Sequence, residues 1–404
     1  MPNSVQRRDP CSGIRLWAVR GALVLLTALV PAVLATPSAH AQTYSVLHNF
    51  TGGTDGSGPE GALVLDSAGN LYGTTAGGGA SGFGVVFKLS PTSTETVLHS
   101  FTGYPTDGNT PEAGLVRDAA GNLYGTTVNG GAFGDGVVFK LDPTGQETGL
   151  YSLDGGRGGG DPEAALMRDA AGDLFGTTVI GGTGDTCYAG CGVVFRLSPG
   201  GRETVMHSFG NSLTDGAGPY AGLVRDGEGN LYGSASAGGT SGYGVVFKLD
   251  PTGKETVVYN FVGYPTDGAD PTAGLVPDTA GNLYGTTFSG GAFGYGAVFK
   301  LDTTGTETVL YSFTGGRDGA GPYAGLVRDP KGNLYGTATS GGASGYGVVF
   351  RLDAAGKETV LHSFDFMDGS NPHAGLVRDA AGNLYGTTVS GGLSVSGVVF
   401  KLAH

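Results

Sequence analysis

From Tyr44 to Leu402 the apolar residues fall into short runs bounded by Gly, Asp, Pro and Asn, the pattern of strands rather than helices. Four such runs make a unit. In the second unit strand A is expected over 113–117, strand B over 122–127, strand C over 136–141 and strand D over 147–153. Asp118 to Gly121 supplies the A–B turn, a glycine-rich stretch from Asn129 to Asp135 joins B to C, and Asp142-Pro-Thr-Gly145 suits a type I turn closed by a left-handed glycine. Runs such as Gly-Val-Val-Phe are apolar on both faces, as expected of strands covered on both sides.

The unit recurs. The string Asn-Leu-Tyr-Gly begins at Asn70, Asn122, Asn230, Asn282, Asn333 and Asn383, with the variant Asp173-Leu-Phe-Gly176, giving seven copies about 50 residues apart. A lone D-type strand, 44–50, precedes the first copy, and a lone C-type strand, 397–402, ends the last. Pairing them would complete the seventh unit and remove two exposed edges. The fold expected is therefore all-β, a seven-bladed β-propeller of four-stranded antiparallel blades closed by the N-terminal strand. A β-helix needs no such complement and has a shorter period.

The strings Asn-Leu-Tyr-Gly-Thr-Thr and Gly-Val-Val-Phe-Lys-Leu, in this order over 44–402, resemble the GloVer tandem repeat, a bacterial family with varied surface anchors after its repeats. The resemblance implies export and repeats but no chemistry. Only Ala403 and His404 follow the last strand, so the sorting tail of some relatives is missing, and the third copy carries a cysteine insertion.

Residues 1–41 read as a secretory signal: Arg7, Arg8, Arg15 and Arg20 precede an apolar run over 21–34, and Ala39-His40-Ala41 offers a cleavage site after Ala41. The expected product is one domain, 42–404, secreted or periplasmic, monomeric and without a membrane anchor. The formal charge of −13 becomes −16 when the leader's four arginines and one aspartate are removed. That charge argues against nucleic acid or anionic membrane as partner. Glycine is abundant, 80 of 404 residues, without the Gly-X-Y period of collagen, so turns account for it. Cys187 and Cys191 lack a second Cys/His pair, and in an oxidising compartment a local disulfide is expected rather than a metal site or free thiols.

The seven copies serve as their own comparison. A position identical in every blade serves the blade; a variable one is free to serve a ligand. Asp66, Asp118, Asp169, Asp226, Asp278, Asp329 and Asp379 read as turn caps. His48, His99, His207 and His362 share one strand D slot with Tyr151, Tyr259 and Tyr311, which reads as packing. The Asp-Gly pairs at Asp55, Asp107, Asp215, Asp267, Asp318 and Asp368 read as turns rather than calcium ligands. No metal and no cofactor is expected.

Two variable slots remain, both on the face carrying the D–A and B–C loops. The first holds Glu60, Glu112, Glu163, Tyr220, Thr272, Tyr323 and His373; the second holds Phe83, Asp135, Cys191, Tyr243, Tyr295, Tyr346 and Ser396. Aromatic rings beside carboxylates suit sugars or a cation. The function expected is a non-enzymatic binding module for a small molecule, glycan or envelope protein. The alternatives are a channel enzyme of lyase, lactonase or glycosidase type, with His373 and Glu60 as acid and base, and a structural surface protein.

Overall fold

The computed structural model describes residues 42–212 and 214–404; the expected leader and its cleavage point lie outside the described residues. Seven four-stranded antiparallel sheets follow one another as blades of a β-propeller, and the described residues contain no helix. In blade two the strands are Val116–Arg117, Leu123–Thr127, Val137–Leu141 and Glu147–Ser152, from the hub outward. Closure is made across the termini. Thr43–Asn49 pairs antiparallel with Val398–Ala403, from Thr43↔Ala403 to Asn49↔Val398 with a register shift between Val46 and His48, as the outermost strand of blade seven.

The innermost strand is shorter than its sequence suggests: in blade two only Val116–Arg117 pairs, not 113–117. The preceding residues are taken up by the hub, where neighbouring backbones nearly touch. A Cβ on Gly61 would lie 2.6 Å from the Ala113 carbonyl oxygen of the next blade. That carbonyl also accepts a buried hydrogen bond from Thr74 Oγ1 of blade one, and the same bond recurs from Ser234 to Ala273 and from Thr337 to Ala374. Small residues at the hub are therefore what lets blades meet there.

Every letter of the recurring string has a task. Asp66 accepts from the Ala68 and Asn70 amides, from Asn70 Nδ2 and from Tyr72 Oη, so Asn and Tyr cap the A–B turn with it. Leu71 is buried, and Gly73 leaves room for the Phe87 ring, whose Cζ would lie 2.6 Å from a Cβ. Blade three, which has Asp and Phe in place of Asn and Tyr, loses both side-chain donors to Asp169. Arg225 of blade four replaces them at 3.0 Å, and Arg196 pairs with Asp173. The cores form between adjacent blades; at the closure Phe50, Leu63, Val85 and Phe87 pack with Val399.

Candidate functional site

The two long loops of each blade lie on one face and are laced together. Gly108–Asn109 pairs with Asn129–Gly130 in blade two, with equivalent ribbons in blades four and five and single bridges such as Ser57↔Gly77 in the rest. This bonding fixes the positions of both variable slots.

The first slot converges at the centre. Glu60, Glu112, Glu163, Tyr220, Tyr323 and His373 line a cavity of about 60 Å³. A second space of about 140 Å³ is lined by the same positions of all seven blades, Thr272 included, with the two residues that follow each. Tyr323 stacks on His373 with ring centroids 3.7 Å apart, and Phe288 meets Tyr323 edge-on at 6.1 Å. Burial, then Glu60, Glu163 and Asp161, push the Glu112 carboxyl up to about 7; burial, then Asp161 and Glu60, do the same to Glu163. Burial also raises Glu60 and lowers His373 to about 4. The imidazole is thus neutral at pH 7, and its Nδ1 stands 3.9 Å from Glu60 Oε2, beyond hydrogen-bond reach. The mouth is an acidic well with one aromatic wall.

The second slot lies outside this cavity, because each of its side chains lies against the loop that leads to the next blade. A Cβ on Gly103, Gly263 or Gly315 would meet the rings of Phe83, Tyr243 or Tyr295 at 3.2, 3.1 and 2.7 Å. Tyr346 meets Phe366 at 5.2 Å, and Asp135, Cys191 and Ser396 face Gly155, Gly210 and Gly52. These rings keep their outer faces in solvent, with Phe83 39% and Tyr295 49% exposed. Cys187 and Cys191 form the expected disulfide.

The histidine slot does more than pack. His99 Nε2 lies 3.3 Å from Asp107, Tyr259 Oη donates to Asp267 at 2.9 Å, and Tyr311 Oη does the same to Asp318. In four copies, at His99, His207, Tyr259 and Tyr311, the ring meets the loop carboxylate at hydrogen-bond distance, whereas His48 and His362 Nε2 have no hydrogen-bond partner and Tyr151 has Gly158 in place of the aspartate. A glutamate from the next blade completes each group: His207, Asp215 and Glu255 bring ligand-type atoms within 4.8 Å of one another. At the closure Tyr44 replaces this glutamate, stacks on His362 at 3.7 Å and donates to the Asp368 carbonyl at 2.6 Å. The blade-to-blade contact is invisible in sequence because its partners are some forty residues apart and each reads as a turn or strand residue.

A further feature was not legible from either slot. Every large hydrophobic side chain exposed among the described residues lies in a D–A or B–C loop, on the face of the mouth. One exposed aromatic pair occurs twice in equivalent loops, Tyr104 with Phe133 in blade two and Tyr264 with Phe293 in blade five. The signal was present in the strings Gly-Tyr-Pro-Thr-Asp-Gly and Gly-Gly-Ala-Phe-Gly, each found only in these two blades.

A family model described as the Gloeobacter/Verrucomicrobia repeat matches residues 35–187, 118–279 and 225–404. No curated protein matches the chain. Among solved structures it is similar to the extracellular domain described for a hybrid two-component system of B. thetaiotaomicron, at 12% identity and TM-score 0.57, covering 90% of this chain and 41% of that one. A second extracellular domain, described for a one-component system of the same organism, matches at 14% identity and TM-score 0.55, covering 90% and 42%. The chain therefore spans about two fifths of these two proteins' structures. A protein described as a 6-phosphogluconolactonase from Bacteroides uniformis matches at 17% identity and TM-score 0.51, covering 78% of this chain and 88% of that one. At these identities the likeness concerns the fold.

Proposed function

The chain belongs to the Gloeobacter/Verrucomicrobia repeat family, and from the geometry of its loop face we propose that it is an exported, non-enzymatic binding module for neutral glycans. One observation carries this: the exposed aromatic rings all stand on the loop face, in loops rich in glycine, serine, threonine and aspartate. A sugar offers an apolar face to such a ring and hydroxyls to its polar surroundings. The strong negative charge disfavours polyanions. At about 60 Å³ the mouth admits a water molecule, an ion or one protruding group, far less than the several hundred cubic ångströms that enclose a whole small molecule. The ligand thus lies across the face.

The test is a glycan panel probed with the parent protein and with a Tyr104→Ala, Phe133→Ala, Tyr264→Ala, Phe293→Ala variant. Binding that falls by about tenfold or more in the variant supports the reading, on the scale of one lost aromatic contact per platform. Absence of glycan binding, or binding unchanged in the variant, overturns it.

A second reading, a channel enzyme, draws on two carboxyls titrating near 7 beside a neutral histidine. It predicts turnover of lactone or glycoside substrates that Glu112→Gln or His373→Ala abolishes. A screen in which neither change matters removes it.

A further inference from the structure

On the opposite face the repeat carries its own template for a ligand. An arginine at the end of strand A reaches back over the strand B aromatic of the preceding blade: Arg117 over Tyr72 at 5.8 Å, Arg168 over Tyr124 at 5.5 Å, Arg225 over Phe175 at 5.8 Å and Arg328 over Tyr284 at 5.7 Å. Its Nη2 rests against the glycine of its own A–B turn, about where a Cβ on Gly121, Gly172, Gly229 or Gly332 would touch it, at 3.1 to 3.3 Å. In blade one Leu65 takes the position and packs in one cluster with Tyr385. In blade five the residue is Pro277, which cannot reach. Between blades three and four, where Arg225 is in place, a space of about 450 Å³ is open, and between blades four and five an open groove of about 380 Å³ is lined by Tyr232, Asp226, Glu228, Lys248, Pro277 and Arg225 among others. The space beside Gly281 that an arginine would fill holds only Thr303 Cγ2, 3.3 Å from the Cβ position.

We propose that this groove is a guanidinium site that takes an arginine side chain in place of the one the repeat omits. The Tyr232 ring offers the stacking face, and Glu228, exposed on the rim, offers the carboxylate. Asp226 is already held by the Glu228 and Asn230 amides, Asn230 Nδ2 and Tyr232 Oη, the side-chain donors whose loss in blade three leaves Asp169 to Arg225. Lys248, 5.6 Å from the Tyr232 ring centre, leaves room for another cation, because Lys88 and Arg117 share the Tyr72 ring in the first groove at 5.9 and 5.8 Å. A planar guanidinium that stacks and forks onto a carboxylate fits this geometry better than an ammonium.

The groove is titrated at low ionic strength with N-acetyl-arginine amide, with a capped Gly-Arg-Gly peptide and with their lysine counterparts, following the tyrosine resonances by NMR. Arginine compounds bind about fivefold or more tighter than the lysine ones; Pro277→Arg, which fills the groove from within, weakens them about tenfold. Thr303→Glu, on the exposed rim, strengthens them about threefold and keeps the test decisive if Pro277→Arg does not fold. Tighter binding of the peptide than of the amide assigns the site to a polypeptide partner, and equal binding to a free guanidinium solute. Equal affinity for lysine and arginine, no effect of either substitution, or no saturable binding overturns the proposal.

Discussion

The three carboxylates of the mouth make the protein's stability depend on pH in an unusual direction. Glu112 and Glu163, held near 7 in the folded ring against an ordinary value of about 4.5, bind protons that the unfolded chain releases. A raised carboxyl contributes stability that is fully present below the unfolded value and lost as pH rises through 7. A shift of this size is worth about 3 kcal/mol for a fully desolvated group. Both side chains keep partial contact with solvent, which screens the interaction, and about 1 kcal/mol each is the reasonable scale. Stability therefore falls by about 2 kcal/mol from pH 5 to pH 8 on their account. Glu95, Glu307 and Glu358, pushed to about 7 by burial and by the loop aspartate beside each, add in the same sense. The perturbation that isolates the mouth is Glu112→Gln with Glu163→Gln, because the amide mimics the protonated carboxyl. Urea denaturation at pH 5 and pH 8 measures it: the variant matches the parent at pH 5 and exceeds it by about 2 kcal/mol at pH 8. A variant less stable than the parent at pH 8 would show that the ionised carboxylates stabilise the ring and would refute the reasoning.

Other expectations follow from single contacts. Tyr44→Phe, which deletes the bond to the Asp368 carbonyl, lowers stability by about 1 kcal/mol, and Tyr44→Ala, which also removes the stack on His362, by about 3 kcal/mol or more, both read by chemical denaturation. Gly233→Ala drives a Cβ to 2.6 Å from Phe247 Cζ and 2.9 Å from Leu223 Cδ2, at a cost of about 1 to 3 kcal/mol in the same assay. In blade three, Asp173→Asn removes the carboxylate to which Arg196 donates through Nε and Nη2 and lowers stability by about 1 kcal/mol or more, seen as a lower melting temperature.

Much of this could be read from the chain because the repeat is its own control. The seven copies of Asn-Leu-Tyr-Gly, the unmatched strands at both ends and the acidic-to-aromatic order of Glu60 through His373 place the blades, the closure and the mouth without any structure. What escaped is contact between blades. Asp107 reads as a turn residue and His99 as packing until the fold sets them 3.3 Å apart beside Glu147. Tyr295 reads as a lining residue of the mouth, yet Gly315 of the following loop holds it outside. Residues 113–115 look like strand, but close approach at the hub diverts them from pairing. Such contacts join residues tens of positions apart through backbone proximity, which local pattern does not encode.

The mouth, its glutamates and the groove at Pro277 all depend on the ring being closed by its own first strand. Ser45 and Lys401 face each other across that closing pair, within the Cα separation a disulfide spans. Ser45→Cys with Lys401→Cys, oxidised and analysed by non-reducing electrophoresis and peptide mass spectrometry, should give one crosslink within a monomer and a raised melting temperature. Free thiols, or dimers linked between chains, would mean that residues 43–49 do not complete the seventh blade.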